Sequence, residues 1–132
     1  NAFNGCENLE RLILSRNLLE FNQKLDNNES PFFNLKKLDI LDLEDNPIKK
    51  IPVNLFSGLE YLKVLRMNDV WIERIEKDDL IGLKNLRKLD FYFETNYFLK
   101  FIDEKAFEHL KYLESNQLKS IRYFIYRSSS SS

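Results

Sequence analysis

The chain has 132 residues, enough for one domain, and 43% of them are apolar, so it can bury a core. Lys+Arg (20) and Asp+Glu (21) nearly cancel to a net charge of -1, which leaves no basic excess to hold nucleic acid or an anionic membrane surface. With 3 Gly, 3 Pro, 1 Cys and 1 His, a collagen-like or disordered chain, a phosphate-cradling glycine loop, an internal disulfide framework and a Cys-rich metal site are all excluded.

The N-terminal stretch NAFNGCENLERL lacks the basic and apolar regions of a signal peptide. It opens a pattern instead. Leu9, Leu12, Leu14, Asn17 and Leu19 follow one another at offsets 1, 4, 6, 9 and 11, preceded by Phe3 and Cys6. A polar segment, EFNQKLDNNESP (residues 20–31), then interrupts and predicts an outward loop. It holds Asn28-Glu29-Ser30, an N-x-S triplet that makes Asn28 a candidate glycosylation acceptor, although Pro31 directly after it disfavours modification.

The pattern resumes with Phe32, Leu35, Leu38, Leu41, Leu43, Asn46, Ile48 and Ile51. It returns as Phe56, Leu59, Leu62, Leu65, Met67, Ile72 and Ile75, with Val70 at the asparagine place. A further unit runs Leu80, Leu83, Leu86, Leu89 and Phe91, with about three extra residues around Glu94-Thr95-Asn96. Units thus start at residues 9, 38, 62, 86 and, after Phe107 and Leu110, near 113. The L-x-L core of each has the period of 2 of a short β-strand, with Leu41 and Leu43 inward and Asp42 outward. Strands of successive units are expected to pair in parallel about 4.8 Å apart. The turn after each strand is buried by the next unit, and its backbone groups need partners. An asparagine carries both donors and an acceptor, so Asn17 and Asn46 are expected to form a structural ladder that Val70 and the insertion interrupt in the third and fourth units. After Leu113 the register is open: LESNQLKSI fits either a strand from Leu113 or a shortened unit on Asn116, Leu118 and Ile121. RYFIYR (122–127) is apolar enough to cover the last unit, and Ser128–Ser132 read as a tail outside the array.

The pattern L-x-x-L-x-L-x-x-N-x-L, at a period of about 24 residues and ending in I-P-x-x-x-F-x-x-L, resembles the leucine-rich repeat family, in its typical extracellular class. Toll-like receptors, slit proteins and variable lymphocyte receptors use that class. The resemblance spans residues 1 to about 121. It implies an α/β fold: a right-handed solenoid with a parallel β-sheet on its concave face and loops and short helical turns on its convex face. The array is expected over residues 1–127, and neither end shows a cysteine-rich cap, which suits a fragment of a longer ectodomain. The resemblance further implies a non-catalytic recognition module of an extracellular or cell-surface receptor. A protein ligand or co-receptor would be its partner, dimerisation is a mode of the family, and innate immune recognition is the nearest assignment. An adhesion or matrix protein and an intracellular regulatory scaffold stay open as alternatives.

The residues themselves argue the same way about catalysis. Cys6 and His109 are the only nucleophile–base pair the composition offers, and they lie at opposite ends of the array. Cys6 occupies a core position, and His109 is expected on a solvated convex side. The acidic runs Asp39–Asp45 and Glu76–Asp79 read as charged faces, so no metal or cofactor is expected. The outward strand positions place Asp42, Arg66 and Asp90 side by side, either as a ladder of opposite charges or as partner contacts. Trp71, Tyr92, Phe93, Tyr97 and Phe98 gather near one edge. They read either as a contact surface or as rings that fill the space left by Val70.

Overall fold

The structure is a computed structural model, and it describes residues 2–21, 24–26, 29–92 and 96–130. Four three-residue strands, β1 (Arg11–Ile13), β2 (Ile40–Asp42), β3 (Val64–Arg66) and, after the two-residue strand β4 (Arg74–Ile75), β5 (Lys88–Asp90), make one sheet. Its order is β1-β2-β3-β5, every pairing is parallel, and Leu12, Leu41, Leu65 and Leu89 stand in register. One residue beyond each strand the ladder continues. Leu14 N donates to Asp42 O (2.8 Å), Leu43 N to Arg66 O (2.9 Å) and Met67 N to Asp90 O (2.8 Å). A second, two-stranded parallel sheet pairs β4 with β6 (Phe101–Ile102). This is an α/β repeat fold.

The return segments explain the leucines spaced three apart. Leu35 N donates to Phe32 O and Leu38 N to Leu35 O; the same two consecutive turns recur at Phe56-Leu59-Leu62, Leu80-Leu83-Leu86 and Phe107-Leu110-Leu113. A chain that turns once in three residues returns the same face at i and i+3. That face is buried in all of these units. Between them the units pass very close. Gly58 and Gly82 sit at φ +91° and +100°, and a Cβ there would stand 2.3 Å from Phe33 O and 2.7 Å from Phe56 O. Only glycine fits both the φ and the gap.

Three expectations are corrected here. The segment 20–31 is not wholly outward: Phe21 and Leu25 pack against the core, the Phe21 ring edge-on to Phe32 at 6.3 Å. Ser30 is buried, its hydroxyl donating to Leu55 O and accepting from Phe32 N (3.1 Å). Asn28 lies outside the described residues. His109 is half-buried rather than solvated, with Nε2 2.8 Å from Leu80 O. It stands at the place that Gly58 and Gly82 hold in the preceding units.

The third correction concerns the end of the array. No strand begins near Leu113; the chain forms a helix, α1 (Ser115–Ser130), which takes in Ser128–Ser130, expected as a tail outside the array. Glu114 N still donates to Arg87 O (2.9 Å), the bond that opens each earlier strand. Then the pattern fails, because Asn116 falls where the inward leucine belongs. Leu118, Ile121 and Ile125 recur instead at i, i+3 and i+7, the spacing of an apolar helix face. Ile121 is buried, and Leu118, Phe124 and Ile125 pack against the core. Among the described residues no helix is long and apolar enough to cross a membrane.

Candidate interaction surface

The sheet's outward face is dominated by Arg66. Its guanidinium reaches Asp42 (3.6 Å), Glu44 (3.2 Å) and Asp90 (3.3 Å). The strand register causes this, since Asp42, Arg66 and Asp90 are Cα partners on adjacent strands. Asp42 and Asp90 are only 5% and 7% exposed, so packing and Arg66 already hold both carboxylates. Asp42 also accepts from Glu44 N (2.9 Å). Lys88 Nζ adds a weaker contact to Asp90 at 3.8 Å. Asn68, just past β3, is buried, and its Oδ1 accepts from Tyr92 N at 2.7 Å.

Behind the strands the asparagines act on backbone. Asn46 is 1% exposed. Its Nδ2 donates to Leu14 O, Leu43 O and Glu44 O (3.0, 2.9 and 3.1 Å), and its Oδ1 accepts from Asn17 N and Leu19 N (both 2.9 Å). Asn17 differs from the expected ladder. It is exposed, and its side chain donates to Ser15 O (3.1 Å), beside β1 at the end of the sheet. The interruption at Val70 is shorter than its sequence suggests. Asn96, displaced by the insertion, is buried; its Oδ1 accepts from Val70 N (3.1 Å) and its Nδ2 donates to Tyr92 O (2.8 Å). The residue before each asparagine place, at Arg16, Asp45 and Asp69, adopts φ near +60°, so the chain leaves the strand by a left-handed step that aspartate tolerates better than most residues.

Beside β4 and β6 the aromatic residues come to the surface. Val70 and Ile72 are buried on either side of Trp71, and Trp71 N is tied to Ile48 O (3.0 Å), so its indole points out. The ring is 45% exposed and lies 5.8 Å from that of Phe98, which is 48% exposed. Tyr97 is 84% exposed. Asn96 is the asparagine of the fourth unit and bonds Val70 N from there, while Val70 itself stays buried at the third unit's place. Lys49 Nζ stands 6.0 Å from the Trp71 ring, and the Arg74 guanidinium 4.2 Å from the ring of Phe101, its partner across the β4–β6 pair. Tyr92 is not part of this surface; it borders a groove between β5 and α1. Phe93 lies outside the described residues.

Chemistry of other kinds finds little support in the geometry. Cys6 is a partly buried free thiol packed against the core. Among the described residues no three His, Cys, Asp or Glu side chains stand where they could hold a metal ion. Asp79 is 2% exposed, and its desolvation pushes its pKa up to about 6 although Glu76 N donates to it (2.8 Å) and opposes the shift. A carboxyl that holds its proton more tightly when folded stabilises at low pH and loses that contribution as pH rises from about 4 through 6. Asp79→Asn keeps an acceptor for Glu76 N without the charge. It is expected to raise stability at pH 7.5 by up to roughly 3 kcal/mol and to change it little at pH 4. Urea unfolding of both proteins at the two pH values checks this; a constant difference between them would contradict it.

Residues 36–91 match a family model described as leucine rich repeat. The matched stretch runs from the second unit to one residue past β5 and supports a leucine-rich repeat family for the chain. Such repeats are generally non-catalytic modules of protein–protein interaction.

Proposed function

We propose that this chain is a recognition segment of an extracellular leucine-rich repeat receptor ectodomain, of the Toll-like innate immune kind, and that a protein ligand or co-receptor docks on the surface around Trp71 and Phe98. The repeat unit of 24 residues that ends in I-P-x-x-x-F-x-x-L supports the class, through its resemblance to that group. The surface rests on one observation. Two large rings stand in contact and about half exposed, Trp71 between the buried Val70 and Ile72 and Phe98 next to Leu99, which packs against the core. Exposed aromatic anchors fixed by a rigid backbone lose little entropy on binding, and Trp and Tyr are enriched among binding hot spots. On the sheet face, by contrast, Asp42 and Glu44 are already paired with Arg66.

A photo-crosslinking residue introduced at position 71, displayed at the surface of secretory cells, tests this reading. It is expected to capture protein partners that the same residue at exposed Lys84 does not; equal capture at both positions would reject the surface. Trp71→Ala is expected to leave stability within about 1 kcal/mol of the parent, because half the side chain is already in water.

A further inference from the structure

We infer that the groove between β5 and α1 is a binding site for an extended peptide segment that presents a basic side chain to Asp90. This site is separate from the surface around Trp71, and its test does not depend on the receptor assignment.

β5 is the last strand of its sheet, and on its far side it meets α1 instead of another strand. Two bonds cross to it from there. Glu114 N donates to Arg87 O (2.9 Å), and the side-chain Oε1 of Gln117 accepts from Leu89 N (2.6 Å). The second is a side chain standing where a neighbouring strand's carbonyl would be. Because a helix cannot follow a strand's edge, space remains: a groove of about 360 Å³ lined by Asp90, Tyr92, Phe107, Asn116, Gln117 and Ser120.

The charges at this edge are unbalanced. Among the described residues, Asp42, Glu44 and Asp90 form ion pairs with Arg66 and Lys88 alone, two cations for three carboxylates. The deficit falls on Asp90. Its Oδ2 lies 3.3 Å from Arg66 Nε on the inner side, whereas its buried Oδ1 has no hydrogen-bond donor. Lys88 Nζ, 3.8 Å away on a half-exposed side chain, is beyond hydrogen-bond distance. A buried carboxylate oxygen without a donor is costly. Across the sheet the outward positions alternate Asp42, Arg66, Asp90. The next place in that series fits a guanidinium, on the far side of Asp90 from Arg66 and in the same relation to it.

An incoming strand that lies parallel to β5 would supply both missing parts. Its backbone would take over Leu89 N from Gln117, and its arginine would donate to Asp90 Oδ1 once Lys88 swings away. Edge-strand addition of this kind draws affinity from main-chain bonds and specificity from alternate side chains. Gln117 lies at the fraying end of α1, just after Ser115 and Asn116, two weak helix formers, so its side chain can be released without unfolding the helix.

The probe is a fluorescein-labelled hexapeptide with this chain's own sequence over residues 63–68, KVLRMN, whose arginine sits between two aspartates in the folded sheet. Fluorescence anisotropy is expected to show saturable binding to the intact chain. Replacing the peptide's arginine by citrulline, equal in shape and uncharged, is expected to weaken binding at least tenfold, as is Asp90→Asn. Ser120→Trp, which fills the groove from the exposed face of α1, is expected to abolish it. The citrulline comparison uses unaltered protein, so it decides even if Asp90→Asn fails to fold. No saturable binding, equal affinity for the arginine and citrulline peptides, or binding that survives Ser120→Trp would each overturn the assignment.

Discussion

Asn46→Ala is expected to lower the free energy of unfolding by about 3 kcal/mol, from the backbone groups it leaves without partners. The side chain bridges two units. It joins three carbonyls, Leu14 O, Leu43 O and Glu44 O, to two amides, Asn17 N and Leu19 N, at distances between 2.9 and 3.1 Å. Alanine removes both its donors and its acceptor at a site that is 1% exposed. Two comparisons separate this cause from a simple loss of volume. Asn46→Asp is nearly isosteric but turns a carboxylate toward three carbonyl oxygens. It should destabilise at least as much at pH 7 and recover part of the loss at pH 4, where the protonated acid donates once. Asn17→Ala should change stability by less than about 0.5 kcal/mol, because that side chain is exposed and makes one local bond. Urea midpoints for the three variants measure this; an Asn46→Ala midpoint equal to the parent's would remove the bridging role.

Leu65→Ala should cost about as much or more, roughly 3–4 kcal/mol within the usual range for a buried leucine. Leu65 is fully buried on the central strand, between Leu41 and Leu89 in register. Both neighbours are held by their own strands, so the hole cannot close without breaking the ladder, and an uncollapsed cavity is the expensive kind. Leu12→Ala makes the same chemical change on the end strand, where the side chain is only half-buried. It should cost less than half as much. Equal losses at the two positions would mean that burial does not rise from β1 to the centre of the sheet as described.

The repeat was readable because burial imposes a period. Leucines spaced 24 apart put Leu41, Leu65 and Leu89 on neighbouring strands, and the three-residue spacing of Phe56, Leu59 and Leu62 is that of consecutive tight turns. The alignment of Asp42, Arg66 and Asp90 follows from the same period. What the period could not carry was hidden by insertions and by a change of element. Asn96 bonds Val70 N from a place that the three extra residues had shifted out of alignment. The sequence places His109 on a solvated side because its polar ring meets Leu80 O only when the preceding unit is stacked against it. The helix after Glu114 did leave a trace, in the spacing of Leu118, Ile121 and Ile125. The repeat period, carried one unit further, overlies that spacing. At the surface, the exposure of Trp71 was legible from its place just past the strand, whereas its contact with Phe98 depends on the β4–β6 pairing that no motif announces.

The whole account rests on units that stack so that each strand hydrogen-bonds the equivalent strand of the next. Through-hydrogen-bond couplings between amide nitrogens and carbonyl carbons, measured by NMR on the isotopically labelled chain, observe those bonds one at a time. The predicted pairs are Leu14 with Asp42, Leu43 with Arg66 and Met67 with Asp90. Couplings that instead link these amides in an antiparallel order, or to carbonyls within their own unit, would contradict the stacking and with it both proposed binding surfaces.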